Sequence, residues 1–201
     1  MRARDVMTSP VVTVRSAMPA KEAARLLVSR GFTALPVVDA DDHLVGIVTE
    51  ADLLPNRFLP DPRALIHDEA PEPSSRPASA VDEMMVADVV AVGPDTHMAA
   101  LSKLMVDRHL RTIPVVENGR VVGIVTRRDL LQTIARDDDM IARDVRHRLA
   151  TAGRQRWEVT VVDGVVTLLG EGADDSETHI ATVIAGAQPG VVGVHVVEGR
   201  T

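Results

Sequence analysis

An internal repeat limits the fold of this chain more than any other feature of its sequence. The segment from Val6 to Leu54 aligns with the segment from Met84 to Leu131 with a single one-residue gap. The clearest identities are a Pro-Val-Val tripeptide and a Gly-Ile-Val-Thr tetrapeptide, which ends at Thr49 in one copy and at Thr126 in the other. Two copies of one unit predict two similar small domains rather than one large core.

Each copy has the same order of predicted elements. A β-branched run, at Val11 to Val14 or Val89 to Val92, predicts a strand, and the apolar spacing i, i+3, i+4, i+7 that follows predicts a helix. Two more strands joined by turn residues come next, and a second helix begins after the Gly-Ile-Val-Thr tetrapeptide. Each repeat is therefore expected to fold as a β-α-β-β-α unit, in a protein of the α+β class.

Residues 137–201 follow a different pattern. Ile141, Val145 and Leu149 lie four residues apart, as on one face of a helix, and two Val-rich strands, a helix and a last strand follow. This order predicts a small α-β-β-α-β domain. Trp157 is expected in its core, the alternative being an interface anchor. The predicted organisation is residues 1–57 and 81–136 for the two repeats, 58–80 for a Pro-rich linker, and 137–201 for the tail domain.

Composition excludes several classes of function. The chain has a net charge of −7, no Cys and no Tyr. Without Cys there is no disulfide, thiolate nucleophile or Cys-ligated metal, and the negative charge and scarce aromatic residues disfavour a nucleic-acid partner. No apolar run is long enough for a membrane span, and the first residues lack the apolar stretch of a signal peptide. We expect a cytoplasmic protein.

Catalytic and metal-binding motifs are not recognisable in the sequence. There is no P-loop, no dinucleotide-binding glycine pattern and no Ser-His-Asp order, and the seven His residues lack metal-ligand spacing. The acidic run at Asp137 to Asp139 suits the start of a helix better than a cation. We expect no enzyme, no metal ion and no required cofactor.

The candidate binding feature is a Thr-x-x-Asp pattern at the start of the last helix of each repeat. It places Thr49 with Asp52, and Thr126 with Asp129. A helix N-terminus offers free N–H groups to a phosphate, and a carboxylate can accept hydrogen bonds from both hydroxyls of a ribose. The alternative is that Thr only caps the helix and Asp is a favourable charge in its first turn.

The two repeats differ in charge near these patterns. The second repeat has Arg111, Arg127 and Arg128 where the first has Thr33, Glu50 and Ala51. Since guanidinium groups hold phosphate by charge-assisted hydrogen bonds, the cluster of Arg111, Thr126, Arg128 and Asp129 is expected to bind phosphate more tightly than Thr49 and Asp52. The alternative is that Arg127 and Arg128 are solvated helix residues.

The repeats resemble CBS domains, the cystathionine β-synthase-type regulatory modules that associate in tandem. The resemblance rests on the segments DVMTSPVVTV, LPVVD, IPVVE, GIVTEADL and GIVTRRDL, and the tail resembles a BON domain through VDGVVTLLGEGADDSE and PGVVGVHVV. The resemblance of the repeats to CBS domains implies one pseudo-twofold module that binds a regulatory adenosyl ligand such as AMP, ADP, ATP or S-adenosylmethionine. The ligand-binding residues that it implies are Val11, Val12, Thr33, Leu35, Pro36, Thr49, Asp52, Asp88, Val89, Arg111, Ile113, Pro114, Thr126, Arg128 and Asp129.

Two hypotheses for function follow. The first is a regulatory homodimer that senses an adenosyl ligand and relays it to the BON domain, which contacts a protein partner. The alternative is a ligand-free structural adaptor that dimerises through its CBS pair and uses the BON domain for a protein or membrane contact. Residues 137–201 contain eleven Asp and Glu against six Arg, so contact with an anionic membrane is not favoured.

Overall fold

A computed structural model describes residues 1–55, 57–58, 78–170 and 174–198, so most of the linker predicted at 58–80 lies outside the described residues. Among the described helices, none has the length and apolar character that a membrane span requires. The chain forms two compact units, one made of Met1–Val6, His97–Ser102 and Arg127–Thr201, the other of Met7–Thr96 and Lys103–Thr126.

The first repeat has the predicted β-α-β-β-α order. Its elements are β1 (Val14–Arg15), α1 (Ala20–Arg30), β2 (Ala34–Val38), β3 (Leu44–Thr49) and α2 (Glu50–Leu53). Strand β2 is buried along its whole length because it lies between its two neighbours, parallel to β1 and antiparallel to β3. Helix α1 buries Ala20, Ala23 and Leu27, which confirms the apolar stripe.

The second repeat is built in the same way except at its first strand. Its elements are α3 (Met98–Asp107), β4 (Thr112–Glu117), β5 (Arg120–Thr126) and α4 (Arg127–Ile134). The strand predicted over Val89 to Val92 is reduced to a single bridge between Val92 and Val115, and the one predicted over Val11 to Val14 becomes Val14–Arg15. Both predictions were too long, because only the end of each β-branched run reaches hydrogen-bonding register with the next strand of its repeat.

The repeats are joined by reciprocal backbone hydrogen bonds. Val86, in the opening segment of the second repeat, exchanges hydrogen bonds of 2.9 and 3.0 Å with Ile47 in β3 of the first. Thr8, in the opening segment of the first repeat, exchanges hydrogen bonds of 2.9 and 3.2 Å with Ile124 in β5 of the second. Each repeat thus supplies a segment that pairs alongside the last strand of the other.

The glycine of the Gly-Ile-Val-Thr tetrapeptide makes room for this exchange. A Cβ atom on Gly46 would lie 2.5 Å from the Sδ atom of Met85, and one on Gly123 would collide with the side chain of Met7. Met7 and Met85 are equivalent residues of the two opening segments. The repeated glycine is therefore explained by close packing of the partner repeat, as well as by its place in a strand.

The tail has the predicted α-β-β-α-β order. Its elements are α5 (Asp138–Thr151), β6 (Glu158–Val162), β7 (Val165–Gly170), α6 (Asp175–Gly186) and β8 (Gly193–Glu198). Strand β7 lies in the centre of the sheet, antiparallel to β6 and parallel to β8. The core includes Ile141, Val145, Leu149 and Trp157, which confirms the expected helix face and the buried indole.

Asp138 connects helix α5 to the β6–β7 turn. Its two carboxylate oxygens accept hydrogen bonds from the backbone N–H groups of Asp163 and Gly164, at 2.7 and 2.9 Å. Both turn residues have positive φ, 50° and 74°, the left-handed conformation that a two-residue hairpin loop requires. The carboxylate satisfies both N–H groups at the tip of the hairpin.

We expect Asp138→Ala to lower the free energy of unfolding of the tail by about 1 to 3 kcal/mol, since two charge-assisted hydrogen bonds are lost. Urea unfolding followed by the fluorescence of Trp157 measures the change. The matched control is Asp139→Ala, because the Asp139 carboxylate lies in the same first turn and has no hydrogen-bond partner among the described residues. Equal losses in the two variants would contradict a specific role for Asp138.

Candidate functional site

Thr49 and Asp52 form a hydrogen-bonded pair at the start of α2. The backbone N–H and the hydroxyl of Thr49 both donate to Oδ2 of Asp52, at 2.8 and 2.7 Å. The other carboxylate oxygen, Oδ1, accepts no hydrogen bond from the residues that the structure describes. The pair therefore has a structural role at the helix start, yet it leaves one oxygen of a half-buried carboxylate available.

A cavity of about 380 Å³ adjoins this pair, and we call it the first cavity. Its lining brings together six of the residues proposed from the sequence and eight others. The six are Thr33, Thr49, Asp52, Asp88, Val89 and Arg111, and the others are Ile47, Glu50, Ala51, Val86, Val90, His109, Leu110 and Thr112. Residues from both repeats meet here because the opening segment of the second repeat pairs with β3 of the first.

Arg111 lines the first cavity with Thr49 and Asp52, which the sequence does not predict. The sequence groups this residue with Thr126 and Asp129, and its neighbour Thr112 is the strand partner of Thr126, so that grouping stays a prediction. The expected contrast between a basic second cluster and an acidic first cluster is therefore weaker than the sequence alone indicated.

The first cavity carries charged side chains of both signs. Glu50, Asp52 and Asp88 contribute carboxylates, while Arg111 contributes a guanidinium and His109 an imidazole. Apart from Asp52, none of these side chains has a hydrogen bond or ion pair with the described part of the chain. Apart from Asp52, the charged side chains around this cavity are therefore not engaged with the described part of the chain.

Four proposed residues contribute no exposed side chain. Leu35 and Pro36 in β2, and Ile113 and Pro114 in β4, are buried in the sheets. A ligand can reach these positions only through the main chain. Val11 and Val12 are half-buried and do not line the first cavity, so their predicted role is not tested by this geometry.

The second cluster is divided between the two compact units. Thr126 ends β5 in one unit, whereas Arg128 and Asp129 lie in the first turn of α4 in the other. The carbonyl oxygen of Asp129 accepts a hydrogen bond of 3.0 Å from the hydroxyl of Thr133. Binding by this cluster stays a prediction.

The sequence analysis does not single out His109 among the seven His residues. A signal was available, because the alignment of the repeats places His109 opposite Gly31, 78 residues earlier. Gly31 ends α1 with a φ of 65°, and His109 adopts a φ of 54° at the end of α3. A histidine in place of a glycine at a left-handed position is unusual.

Asp39, Asp41 and His43 form a cluster of potential metal ligands in the β2–β3 turn. The carboxylate of Asp39 already accepts hydrogen bonds from the backbone N–H groups of His43 and Asp41, each at 2.9 Å. The hydrogen bond from the His43 N–H has the largest effect on the Asp39 carboxylate, and the one from Asp41 has a smaller effect. Together they lower the pKa of Asp39 from its ordinary value. These contacts account for the cluster as turn structure, and we assign no metal to it.

Comparison with known proteins agrees with the duplicated architecture. The CBS domain family model matches residues 3–56 and 81–136, and the BON domain model matches residues 137–197. The A-adding tRNA nucleotidyltransferase of Geobacter sulfurreducens is 33% identical over 130 residues, which are 65% of this chain and 13% of that protein. The chain thus matches only a small part of this relative.

Two solved structures cover mainly the repeats. The CBS domain pair of protein MJ0100, in complex with 5′-methylthioadenosine and S-adenosyl-L-methionine, has a TM-score of 0.53 and 27% identity, covering 66% of this chain and 94% of that one. CBSX2 in complex with AMP has a TM-score of 0.53 and 26% identity, and the match covers 65% of this chain and 93% of that one. Together with the reciprocal pairing of the repeats, these matches establish that the chain belongs to the CBS domain family, as a tandem CBS pair followed by a BON domain.

Proposed function

We propose that this protein is a regulatory sensor whose CBS pair binds an adenine nucleotide or a related adenosyl ligand and relays its presence to the BON domain. The observation that carries the proposal is the first cavity, which combines an available carboxylate oxygen with an unpaired guanidinium. Its volume lies within the range of small-molecule sites. The ligands of the similar MJ0100 and CBSX2 structures, which all contain adenosine, support the same ligand class.

Asp52 is suited to hold the ribose of such a ligand. Thr49 fixes Oδ2 through two hydrogen bonds and so orients the carboxylate. Oδ1 is then available to accept from a ribose hydroxyl, and Oδ2 retains further acceptor capacity. A preorganised carboxylate loses little conformational entropy on binding, which favours affinity.

Arg111 is suited to hold a phosphate of the ligand. Its guanidinium is exposed and unpaired within the described chain, so it can make charge-assisted hydrogen bonds without breaking an existing ion pair. Glu50 and Asp88 repel a phosphate electrostatically. The charges therefore orient a nucleotide with its ribose at Asp52 and its phosphate at Arg111.

The proposed role is regulatory and not catalytic, and it places the protein in the cytoplasm, where adenine nucleotides are abundant. Binding would act by differential affinity, with the ligand favouring one conformation of the pair over another. No part of this role requires a metal or a resident cofactor.

We expect Asp52→Asn to weaken AMP binding about tenfold or more, because a hydrogen bond to a charged acceptor is replaced by one to a neutral amide. The amide oxygen still accepts from Thr49, so the helix start is preserved. Isothermal titration calorimetry on the full chain measures the affinity, and Asp41→Asn in the exposed β2–β3 turn is the control.

Two results would contradict this assignment. Equal AMP affinities of wild type and Asp52→Asn would remove Asp52 from the site. If AMP, ADP, ATP and S-adenosylmethionine all fail to bind wild-type protein at millimolar concentration, the sensor function is wrong, and a ligand-free structural adaptor becomes the better explanation.

The proposed relay runs through α4 and Arg136. Helix α4 contains Asp129 in its first turn, and its residues Leu130, Thr133 and Ile134 line a cavity of about 290 Å³ with the loop before β8. Arg136 follows α4 and donates to the carbonyl oxygen of Pro189 at 2.8 Å. One short segment therefore connects Asp129, a predicted ligand residue of the second cluster and not of the first cavity, to the BON domain.

Arg136 also contacts helix α5 of the tail. Its guanidinium contacts the carboxylate of Asp144 in α5 at 2.6 Å, and its side chain is 23% exposed. Gly190 approaches closely, since a Cβ there would lie 2.7 Å from the Ile141 side chain and 3.3 Å from Cβ of Arg136. Movement of α4 would thus be transmitted to two elements of the BON domain at once.

We expect Arg136→Ala to separate ligand binding from its effect on the tail. In wild type, AMP should change amide hydrogen exchange in residues 186–192, whereas in the variant AMP should bind with unchanged affinity and leave this exchange unaltered. The control is Arg146→Ala, an exposed residue of α5 whose side chain has no partner among described residues. A ligand effect that persists in Arg136→Ala would contradict this route.

A homodimer is proposed because the helices of the first repeat present an apolar surface. Val28, Leu54 and Phe58 are 84%, 57% and 79% exposed and line one cavity of about 630 Å³. Isolated exposed apolar residues are common, but a contiguous apolar surface is typical of an interface. A second copy of the chain is the proposed occupant, since closed twofold pairing is the commonest assembly.

We expect light scattering to give about twice the chain mass of 21.6 kDa for wild type, and the chain mass itself for Val28→Asp. A buried carboxylate in an apolar interface has a large desolvation cost. The control is Val183→Asp, at a valine of α6 that is 56% exposed. A monomeric wild type, with or without AMP, would contradict the dimer.

A further inference from the structure

His109 holds a backbone conformation that normally requires glycine. The residue ends α3 with a φ of 54°, and the equivalent Gly31 ends α1 with a φ of 65°. Both ends are closed by the same pair of backbone hydrogen bonds. In the first repeat, the backbone N–H groups of Gly31 and Phe32 donate to the carbonyl oxygens of Val28 and Leu27. In the second, the N–H groups of His109 and Leu110 donate to the carbonyl oxygens of Val106 and Met105.

The fold gains no visible compensation for this histidine. A residue with a Cβ atom is destabilised in the left-handed region, whereas glycine is not. The imidazole of His109 is exposed and makes no hydrogen bond, ion pair or ring contact with other residues that the structure describes. Non-glycine residues are uncommon at such positions, and this one has no structural contact, which makes it a candidate for a functional role.

The position of His109 suggests what that role is. The residue lines the first cavity together with Arg111, on the segment that leads into β4. The ionisable groups elsewhere in the lining are the carboxylates of Glu50, Asp52 and Asp88. His109 and Arg111 therefore supply the donors for an anionic group on that side of the cavity.

We propose that His109 is a specificity-determining residue of the first cavity, whose imidazole N–H donates a hydrogen bond to the phosphate of a bound nucleotide beside Arg111. The inference rests on the proposed function, since it takes a nucleotide as the ligand. It predicts that His109 distinguishes nucleotides from adenosyl ligands without phosphate. A 5′-methylthioadenosine molecule makes the ribose contact with Asp52 and offers no phosphate to His109.

The test uses His109→Gly and His109→Asn in the full chain. Glycine restores the residue found in the first repeat, and Asn tolerates the left-handed conformation without the imidazole. Isothermal titration with AMP and with 5′-methylthioadenosine compares the two ligand types, and the binding step that Asp52→Asn weakens identifies the first cavity.

We expect both variants to bind AMP about tenfold more weakly and 5′-methylthioadenosine with unchanged affinity. His109→Gly should also raise the Tm by about 2 to 4 °C, because the strain is removed. If His109 had only a structural role, its replacement would not weaken AMP binding while leaving the affinity for 5′-methylthioadenosine unchanged.

Four outcomes would overturn the inference. Unchanged AMP affinity in both variants would show that the imidazole does not contact phosphate. An equal loss of affinity for AMP and for 5′-methylthioadenosine would show that His109 only shapes the cavity. Wild-type protein that binds 5′-methylthioadenosine and not AMP would refute the phosphate contact while leaving adenosyl sensing intact, whereas failure to bind either ligand would refute the proposed function as well.

Discussion

The exchange of backbone hydrogen bonds between the two repeats is the interaction on which the binding site depends. Thr8 pairs with Ile124, and Val86 pairs with Ile47, so neither repeat completes its last strand alone. Unpaired strand edges are costly when buried, and each opening segment satisfies the edge that the other repeat leaves open. The small residues Gly46 and Gly123 permit the approach that this pairing needs.

The same exchange creates the first cavity. It brings Asp88 and Val89 of the second repeat to the end of β3, where Thr49 and Asp52 begin the next helix. The site therefore depends on the paired repeats, and a single repeat would lack half of the lining. Two small domains thus enclose a cavity whose volume lies in the range of small-molecule sites.

The BON domain has its own core, and Arg136 links it to the end of the second repeat. Ile141, Val145 and Trp157 lie in a core of residues from the tail alone. Arg136 contacts Asp144 and the carbonyl oxygen of Pro189, and so ties the end of the second repeat to this domain.

The sequence by itself determined the duplication, the order of the elements in all three domains, the helix face at Ile141 and the burial of Trp157. These features follow from local periodicity, because a strand or helix buries one face wherever it lies in the chain. The Thr49 and Asp52 pair was also predictable, since its residues are three apart on one helix start.

Only the tertiary structure decided which distant residues share a cavity. Arg111 lines the site of Thr49 and Asp52, although its sequence position suggested the second cluster, and the β-branched runs beginning at Val11 and Val89 form less strand than their composition predicts. Which residues share the cavity is set by contacts between segments tens of residues apart, and no local pattern encodes it.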